Sequence, residues 1–411
     1  MRALPQHAPM RHWPVVDNCL VVGGIPLTRI AERAGRTPFY VYDRAAITER
    51  VAALRQHLPA TVKLHYAIKA NPMPALVGHI ARLVDGLDVA SAAEMGVALD
   101  AGADPENVSF AGPGKTELEL AQAAAAGVLI NIESAREVEV LERITAECGY
   151  PARVAVRVNP DFELKSSGMQ MGGGPKQFGI DAEQVPAVLE RIEATSRLRL
   201  EGFHIYTGSQ NLRPHAISEA QERAIELALR LAAPLTSQLR VINIGGGFGI
   251  PYFPGDEPIA LKPIGKTLQR LAAVVSAHLS HAAIVIELGR YIVGEAGLYV
   301  CRVIERKVSR GQVFLITDGG MHHHLAASGN FGQVLRKNYP VVIGNRVTGD
   351  TTEKASAVGP LCTPLDLLAD QMELPQAQAG DLVAVFQSGA YGLSASPTAF
   401  LGHPRPAELI V

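Results

Sequence analysis

A lysine, a run of glycines, a carboxylate and a cysteine are the residues of this chain whose types and neighbours could do chemistry. Lys69 stands in His65-Tyr66-Ala67-Ile68-Lys69-Ala70-Asn71-Pro72, at the end of an apolar stretch and just before the break and helix start that Asn71-Pro72 supplies. An amine leaving a strand end for a partly apolar pocket loses hydration, which lowers its pKa and makes it a better nucleophile toward an aldehyde. The competing reading is a lysine that snorkels to solvent. The run Ile244-Gly245-Gly246-Gly247-Phe248-Gly249 follows a strand over 241–244, where backbone N–H groups could cradle a phosphate. Pro251 and Pro254 come at once, so no helix opens there and a dinucleotide site is disfavoured. A single phosphate, helped by Ser209 and Arg290, fits better; a structural glycine turn without a ligand stays open.

The elements that position these groups alternate. Short β-rich runs near 62–68, 87–90, 107–111, 128–132, 153–158, 200–206, 240–245 and 283–288 are separated by helical patterns at 73–84, 92–102, 116–126, 134–148, 181–194, 214–236 and 263–280. Eight strands with helices between them predict a closed parallel (β/α)8 TIM barrel rather than an open sheet. The active site of such a barrel lies at the C-terminal strand ends, where Lys69, Asp88, Arg157, Asn159, His204, Tyr206, the glycine run and Glu287 fall. Closure places the last strand beside the first, so Lys69 and Glu287 come within reach of one small molecule. An aldehyde on Lys69, a phosphate on the glycine turn and a pyridine nitrogen on Glu287 describe pyridoxal 5'-phosphate.

Outside the barrel, Pro38 to Tyr42 reads as a further strand feeding a helix at 43–57. After Arg290 the runs 298–308, 313–317, 341–343 and 382–386 lack long helices between them and predict a C-terminal β-domain, with one helix near 364–372. The strand-like start around Cys19-Leu20-Val21-Val22 is expected to join it. The predicted division is 43–289 for the barrel and 1–42 with 290–411 for the β-domain.

Composition narrows the partners. The 411 residues carry 38 Lys+Arg against 40 Asp+Glu with no basic run, which argues against nucleic acid. No stretch of about 18 uncharged apolar residues suggests a membrane span, and the N-terminus has no signal-peptide core; a cytoplasmic location is expected. Four cysteines, Cys19, Cys148, Cys301 and Cys362, show no metal-ligand spacing and read as free thiols.

The motifs together resemble the pyridoxal-phosphate-dependent decarboxylases of alanine-racemase-like fold, and among them diaminopimelate decarboxylase, over nearly the whole chain. The matching stretches are Tyr66-Ala67-Ile68-Lys69-Ala70-Asn71, Asp88-Val89-Ala90-Ser91 with Glu94, Arg157-Val158-Asn159-Pro160, Phe178-Gly179, Gly208-Ser209-Gln210, the glycine run, Glu287-Leu288-Gly289-Arg290-Tyr291, Gly359-Pro360-Leu361-Cys362 with Asp366, and Gly389-Ala390-Tyr391-Gly392. The resemblance implies that Lys69 is the covalent anchor and that Glu287 keeps the pyridine nitrogen protonated. Ser209, Gly245, Gly246, Gly247, Arg290 and Tyr391 would surround the phosphate. Cys362 would come from the second subunit of a homodimer with shared active sites and donate a proton to the product; alone, it would more often be a structural thiol. Arg336 and Tyr339 lie where relatives contact the substrate carboxylate.

Two departures accompany the resemblance. Diaminopimelate decarboxylases typically carry a glutamate directly after the cysteine, where it binds the distal end of the substrate; here Thr363 and Pro364 follow. Tyr206 stands where a histidine usually stacks on the cofactor ring, with His204 two residues earlier on the same strand face. Both changes resemble a branch associated with biosynthetic clusters and exosortase-type systems, some of whose members act on an aminoacyl group tethered to a carrier protein. The expected activity is therefore α-decarboxylation of an amino acid other than free meso-diaminopimelate, free or carrier-bound. The alternatives are an ordinary diaminopimelate decarboxylase and an inactive homologue that binds a partner. The glycines in 168–175 suggest a loop able to admit a larger substrate. His322-His323-His324 is not read as a metal site, since neighbours on a strand face opposite ways. Asp88 and Glu94 are expected to cap the helix beginning near Ala92.

Overall fold

The computed structural model describes residues 6–162, 169–170, 172–331, 333, 336–349 and 351–411. These group into two compact units. One holds Arg50–Gly249 and Ile259–Gly289; the other holds the residues up to Glu49, Ile250–Pro258 and Arg290–Val411.

The first unit is a parallel barrel of eight strands: β1 (Val62–Ala67), β2 (Gly86–Val89), β3 (Val108–Phe110), β4 (Leu129–Ile132), β5 (Ala152–Asn159), β6 (Leu198–His204), β7 (Val241–Gly246) and β8 (Ala283–Leu288). Each pairs in parallel with its neighbour in chain order, and β8 pairs with β1 to close the ring. Closure sets Glu287 beside His65 and Leu288 beside Tyr66, so the ends of β8 and β1 run together. Gly289 permits this approach, because a Cβ there would lie 2.7 Å from that of Ala70. The strands are mostly apolar and buried because both faces are covered, by side chains within and helices outside. Three of the helices start on polar caps: Ser91 accepts from the Glu94 N–H, Ser134 from that of Glu137, and Thr116 forms a reciprocal capping box with Glu119.

The second unit is a mixed eight-stranded sheet. Val341–Ile343, Leu382–Val385, Gly297–Ser309, Gln312–Thr317, Thr352–Val358 and Leu367–Pro375 follow one another across it. Phe39–Tyr42 pairs antiparallel with Gly297–Ser309 and parallel with Ala407–Ile410, which places the predicted extra strand outside the barrel. A small hairpin sheet (Val15–Val16, Cys19–Val22, Ile25–Pro26) turns on Asp17 and Asn18, both at positive φ as such a turn requires. Its Leu20 and Val22 share a core with Leu27, Ile30, Phe39, Leu298 and Phe386.

Three sequence expectations change. The segment expected as a helix near 364–372 is the strand Leu367–Pro375, because its pairing with Thr352–Val358 supplies backbone partners that outweigh local helical periodicity. His322 and His323 lie in turns rather than on a strand. Ile250–Pro258, expected as barrel loop, groups with the β unit.

Candidate active site

Lys69 follows β1 in a single 3₁₀ turn, Ile68–Ala70. The turn is fixed by Tyr66, whose hydroxyl donates to the Asn71 carbonyl at 2.9 Å, and by the Asn71 side chain, which accepts the Met73 N–H at 3.1 Å. The Lys69 side chain is exposed, so burial alone does not activate it here. Its Nζ lies 5.5 Å from the centre of the Tyr206 ring, and its charge acts on both Glu94 and Glu287. Tyr206 in turn lies against the glycine turn: a Cβ on Gly245 would come within 2.7 Å of its ring.

Glu287 is buried between two neighbours. Asn243 donates to its Oε2 at 3.2 Å, and His204 Nε2 approaches the same oxygen at 3.2 Å. Burial alone would raise the Glu287 pKa, but His204, Lys69 and Arg157 outweigh it and hold the carboxyl well below its usual range. An ionised carboxylate therefore faces the interior of the barrel. Three consecutive positions of the glycine turn exclude side chains. Gly245 and Gly247 have left-handed φ of 68° and 69°, and a Cβ on Gly246 would sit 2.2 Å from the Glu287 carbonyl. The Gly245 N–H already donates to Asn243 Oδ1 at 2.8 Å, leaving a phosphate to the later amides of the turn. Ser209 is held nearby in the chain by the pairing of Gly208–Ser209 with Met169–Gln170. Of the glycine-rich loop expected over 168–175, Gly168 and Met171 lie outside the described residues. Gly173 and Gly174 are bound by the Asn159 side chain, which accepts from the Gly173 N–H and donates to the Gly174 carbonyl.

A second group of charges at the strand ends was not expected. Glu133, at the end of β4, accepts from Arg157 at 2.8 Å, from the Gly112 N–H at 2.6 Å and from the Gly179 N–H at 3.1 Å. Lys115 donates to Glu137 at 3.1 Å and to the Gly112 carbonyl at 2.8 Å, and Glu137 accepts the Glu133 N–H. All four charged side chains are buried. The strand-end rule that selects Lys69 and Glu287 would have selected Glu133 had it been applied to the run Leu129–Ile132. Asp88 does not cap the following helix. It lies 3.3 Å from His65 Nδ1; the cap is Ser91, and the Glu94 side chain accepts the N–H of Ala90, the residue before that cap, at 2.7 Å.

The remaining candidates belong to the β unit. Arg290 lies between two tyrosine rings, 5.5 Å from that of Tyr252 and 4.6 Å from that of Tyr391, and donates to the Tyr252 hydroxyl at 2.9 Å. Its Nε is buried without a hydrogen-bond partner among the described residues. Tyr391 has a φ of 52°, rare for a bulky side chain. Tyr339 packs in an aromatic group with Tyr252, Phe253 and His324. Arg336 donates one nitrogen to the carbonyls of Ser328 and Leu367, while its Nε and second terminal nitrogen are buried without partners among the described residues. Cys362 is exposed, on a turn shaped by Asp366. That carboxylate accepts the N–H groups of Leu361 and Met321 and fills the space that a Cβ on Gly320 or Gly359 would need. The Thr363 hydroxyl accepts the Leu365 N–H at 3.3 Å. Among the described residues no group of three or more His, Cys, Asp or Glu side chains could hold a metal ion.

Comparison with known proteins decides the family. Residues 44–294 match the pyridoxal-dependent decarboxylases through their pyridoxal binding domain. The chain belongs to that family. This decarboxylase is 38% identical over 379 residues to the enzyme from Niallia circulans named as the decarboxylase of L-glutamyl-BtrI acyl-carrier protein, covering 91% of this chain and 88% of that one. It is 34% identical to the diaminopimelate decarboxylase of Aquifex aeolicus, covering 96% and 91%. The crystal structure of diaminopimelate decarboxylase from Helicobacter pylori complexed with L-lysine superimposes with a TM-score of 0.83 at 27% identity, covering 93% and 94%. The decarboxylase is thus a pyridoxal-phosphate enzyme acting on amino acids, with an eight-stranded barrel and a second β-domain. The barrel residues fit that cofactor: an accessible amine, a buried ionised carboxylate and a turn closed to side chains are the three partners its aldehyde, ring nitrogen and phosphate require. Among the described residues no helix is long and apolar enough to cross a membrane.

Proposed function

We propose that this decarboxylase removes the α-carboxyl group of an amino acid whose distal end is uncharged, amide-linked or joined by a thioester to a carrier protein. The observation that carries the reading is Thr363. Where diaminopimelate decarboxylases place a glutamate for the distal ammonium, this turn offers a neutral hydroxyl engaged with the Leu365 N–H. An ammonium buried without a charged partner costs several kcal/mol. The similarity to a decarboxylase of a carrier-bound glutamyl group supports the same reading.

The roles follow from the chemistry of each group. Pyridoxal phosphate, when bound, supplies an electron-poor ring that takes up the electrons left at Cα as CO2 departs. Lys69 anchors it, Glu287 holds the proton on its ring nitrogen, and Tyr206 stacks. Ser209 and the amides of Gly246 and Gly247 bind the phosphate, with Gly245 shaping the turn. Arg336, whose Nε and second terminal nitrogen are without partners among the described residues, would receive the substrate carboxylate. Cys362 of a second copy delivers the proton that completes the product. Arg290 and Tyr391 keep the phosphate role that the family resemblance assigns them.

Carbon dioxide release from a panel of free and carrier-bound amino acids tests the substrate. Free meso-diaminopimelate is expected to be poor, and Thr363→Glu is expected to raise activity on it relative to the other substrates. Turnover of free meso-diaminopimelate by the wild type at about 10 s⁻¹, an ordinary enzymatic rate, would replace this reading with that of a lysine-pathway enzyme.

A further inference from the structure

Asn243 is a polar side chain within an apolar barrel strand, 4% exposed, and both ends of its amide are engaged. Its Nδ2 donates to Glu287 Oε2 and its Oδ1 accepts the Gly245 N–H. These partners are the carboxylate assigned to the ring nitrogen and the first residue of the turn assigned to the phosphate. One planar amide therefore spans the two ends of the cofactor cradle. The register makes this possible: Asn243 pairs with His204 on β6 and with Val285 on β8, and Glu287, two residues beyond Val285, projects to the same face. His204 Nε2 approaches the same carboxylate oxygen at 3.2 Å.

We propose that Asn243 is a positioning residue, a clasp that fixes the spacing between the Glu287 carboxylate and the Gly245–Gly247 turn before the cofactor arrives. This rests on the cofactor roles given above to Lys69, Glu287 and the turn. A buried asparagine that merely satisfied its own hydrogen bonds would affect stability alone. A clasp has two separable halves, because its oxygen serves the phosphate end and its nitrogen the ring end. Preorganisation of this kind appears in affinity, since the cradle need not be ordered during binding.

Two substitutions separate the halves. Asn243→Leu removes both hydrogen bonds, whereas Asn243→Asp keeps an acceptor for the Gly245 N–H and loses the donor to Glu287. The cofactor-free protein and each variant are titrated with pyridoxal phosphate and with pyridoxal, which lacks the phosphate. Dissociation constants and the pH dependence of the bound cofactor's absorbance band are read. Asn243→Leu is expected to weaken pyridoxal phosphate about tenfold or more, and pyridoxal by less, so that discrimination for the phosphate shrinks. Asn243→Asp should keep that discrimination within about threefold of wild type while shifting the pH midpoint of the band. The clasp is overturned if Asn243→Leu leaves both constants within about twofold, or if both variants lose both ligands equally. Should Asn243→Leu not fold, an unshifted midpoint in Asn243→Asp overturns it. A wild type that yields no borohydride-stable adduct at Lys69 would instead overturn the cofactor roles on which the clasp rests.

Discussion

Glu287 shows how strongly a single residue can be set by its neighbours. A carboxylate taken out of water is normally driven toward its neutral form, yet His204, Lys69 and Arg157 reverse that tendency. Replacing it with glutamine removes the charge and keeps the shape. Glu287→Gln should still bind pyridoxal phosphate, because Lys69 and the glycine turn are untouched, and should decarboxylate slower by orders of magnitude. Steady-state CO2 release checks this; a rate within about twofold of wild type, a barrier change near 0.4 kcal/mol, would remove the ring-nitrogen role. The chemistry of Glu287 and Lys69 was legible because each ends an apolar strand, where a charged residue is out of place unless used. Asn243 and Glu133 were harder to read. Their importance lies in partners 44 and 24 residues away, Glu287 and Arg157, and no local pattern announces such pairings.

At the level of elements, the eight barrel strands fall within about two residues of the ranges read from the sequence. Strands buried on both faces are written mostly in apolar residues, and three of the helices between them start on polar caps, so the signal is local. The β unit is written less plainly. Thr352–Val358 carries Thr, Glu, Lys and Ser and was missed, and its partner Leu367–Pro375 was read as a helix, because a mixed sheet takes its stability from pairings distant in sequence. The same unit holds a pH liability. His324 is fully buried: its Nδ1 accepts the Ala327 N–H, so its proton is on Nε2, directed at Ser388 Oγ. A second proton has no place, and burial pushes the pKa down to about 3. Between the unfolded value of about 6.5 and this one, the unfolded chain binds more protons than the folded one. The stabilisation is present above pH 6.5 and is lost as pH falls, with a slope of up to about 1.4 kcal/mol per pH unit for this group. Urea unfolding from pH 7 to pH 4 should show a shallower decline in His324→Gln than in wild type. Parallel declines would remove His324 from the acid response.

At the level of the whole molecule, the question is whether one copy can work alone. The family resemblance assigns Cys362 to the site of a partner copy, and Cys362 is exposed on a turn that Asp366 holds in shape. Lys69→Ala and Cys362→Ala should each be inactive for different reasons. Mixing the two should restore part of the activity, because a mixed dimer reassembles one site with both residues intact. Absence of rescue, with subunit exchange confirmed by mass spectrometry of differently tagged copies, would exclude a shared site.

The strand Phe39–Tyr42 has neighbours drawn from far along the chain, Gly297–Ser309 on one edge and Ala407–Ile410 on the other. On the ribosome this becomes a matter of time. At roughly 5–20 residues per second, the Phe-Tyr-Val-Tyr segment emerges tens of seconds before the last of its partners exists. The intervening barrel strands pair with one another and can close in that interval. Until then an aromatic, uncharged strand waits with both edges open, the composition and exposure that favour pairing with the wrong chain. The nascent chain is therefore vulnerable around Phe39–Tyr42 until Ala407–Ile410 has been made.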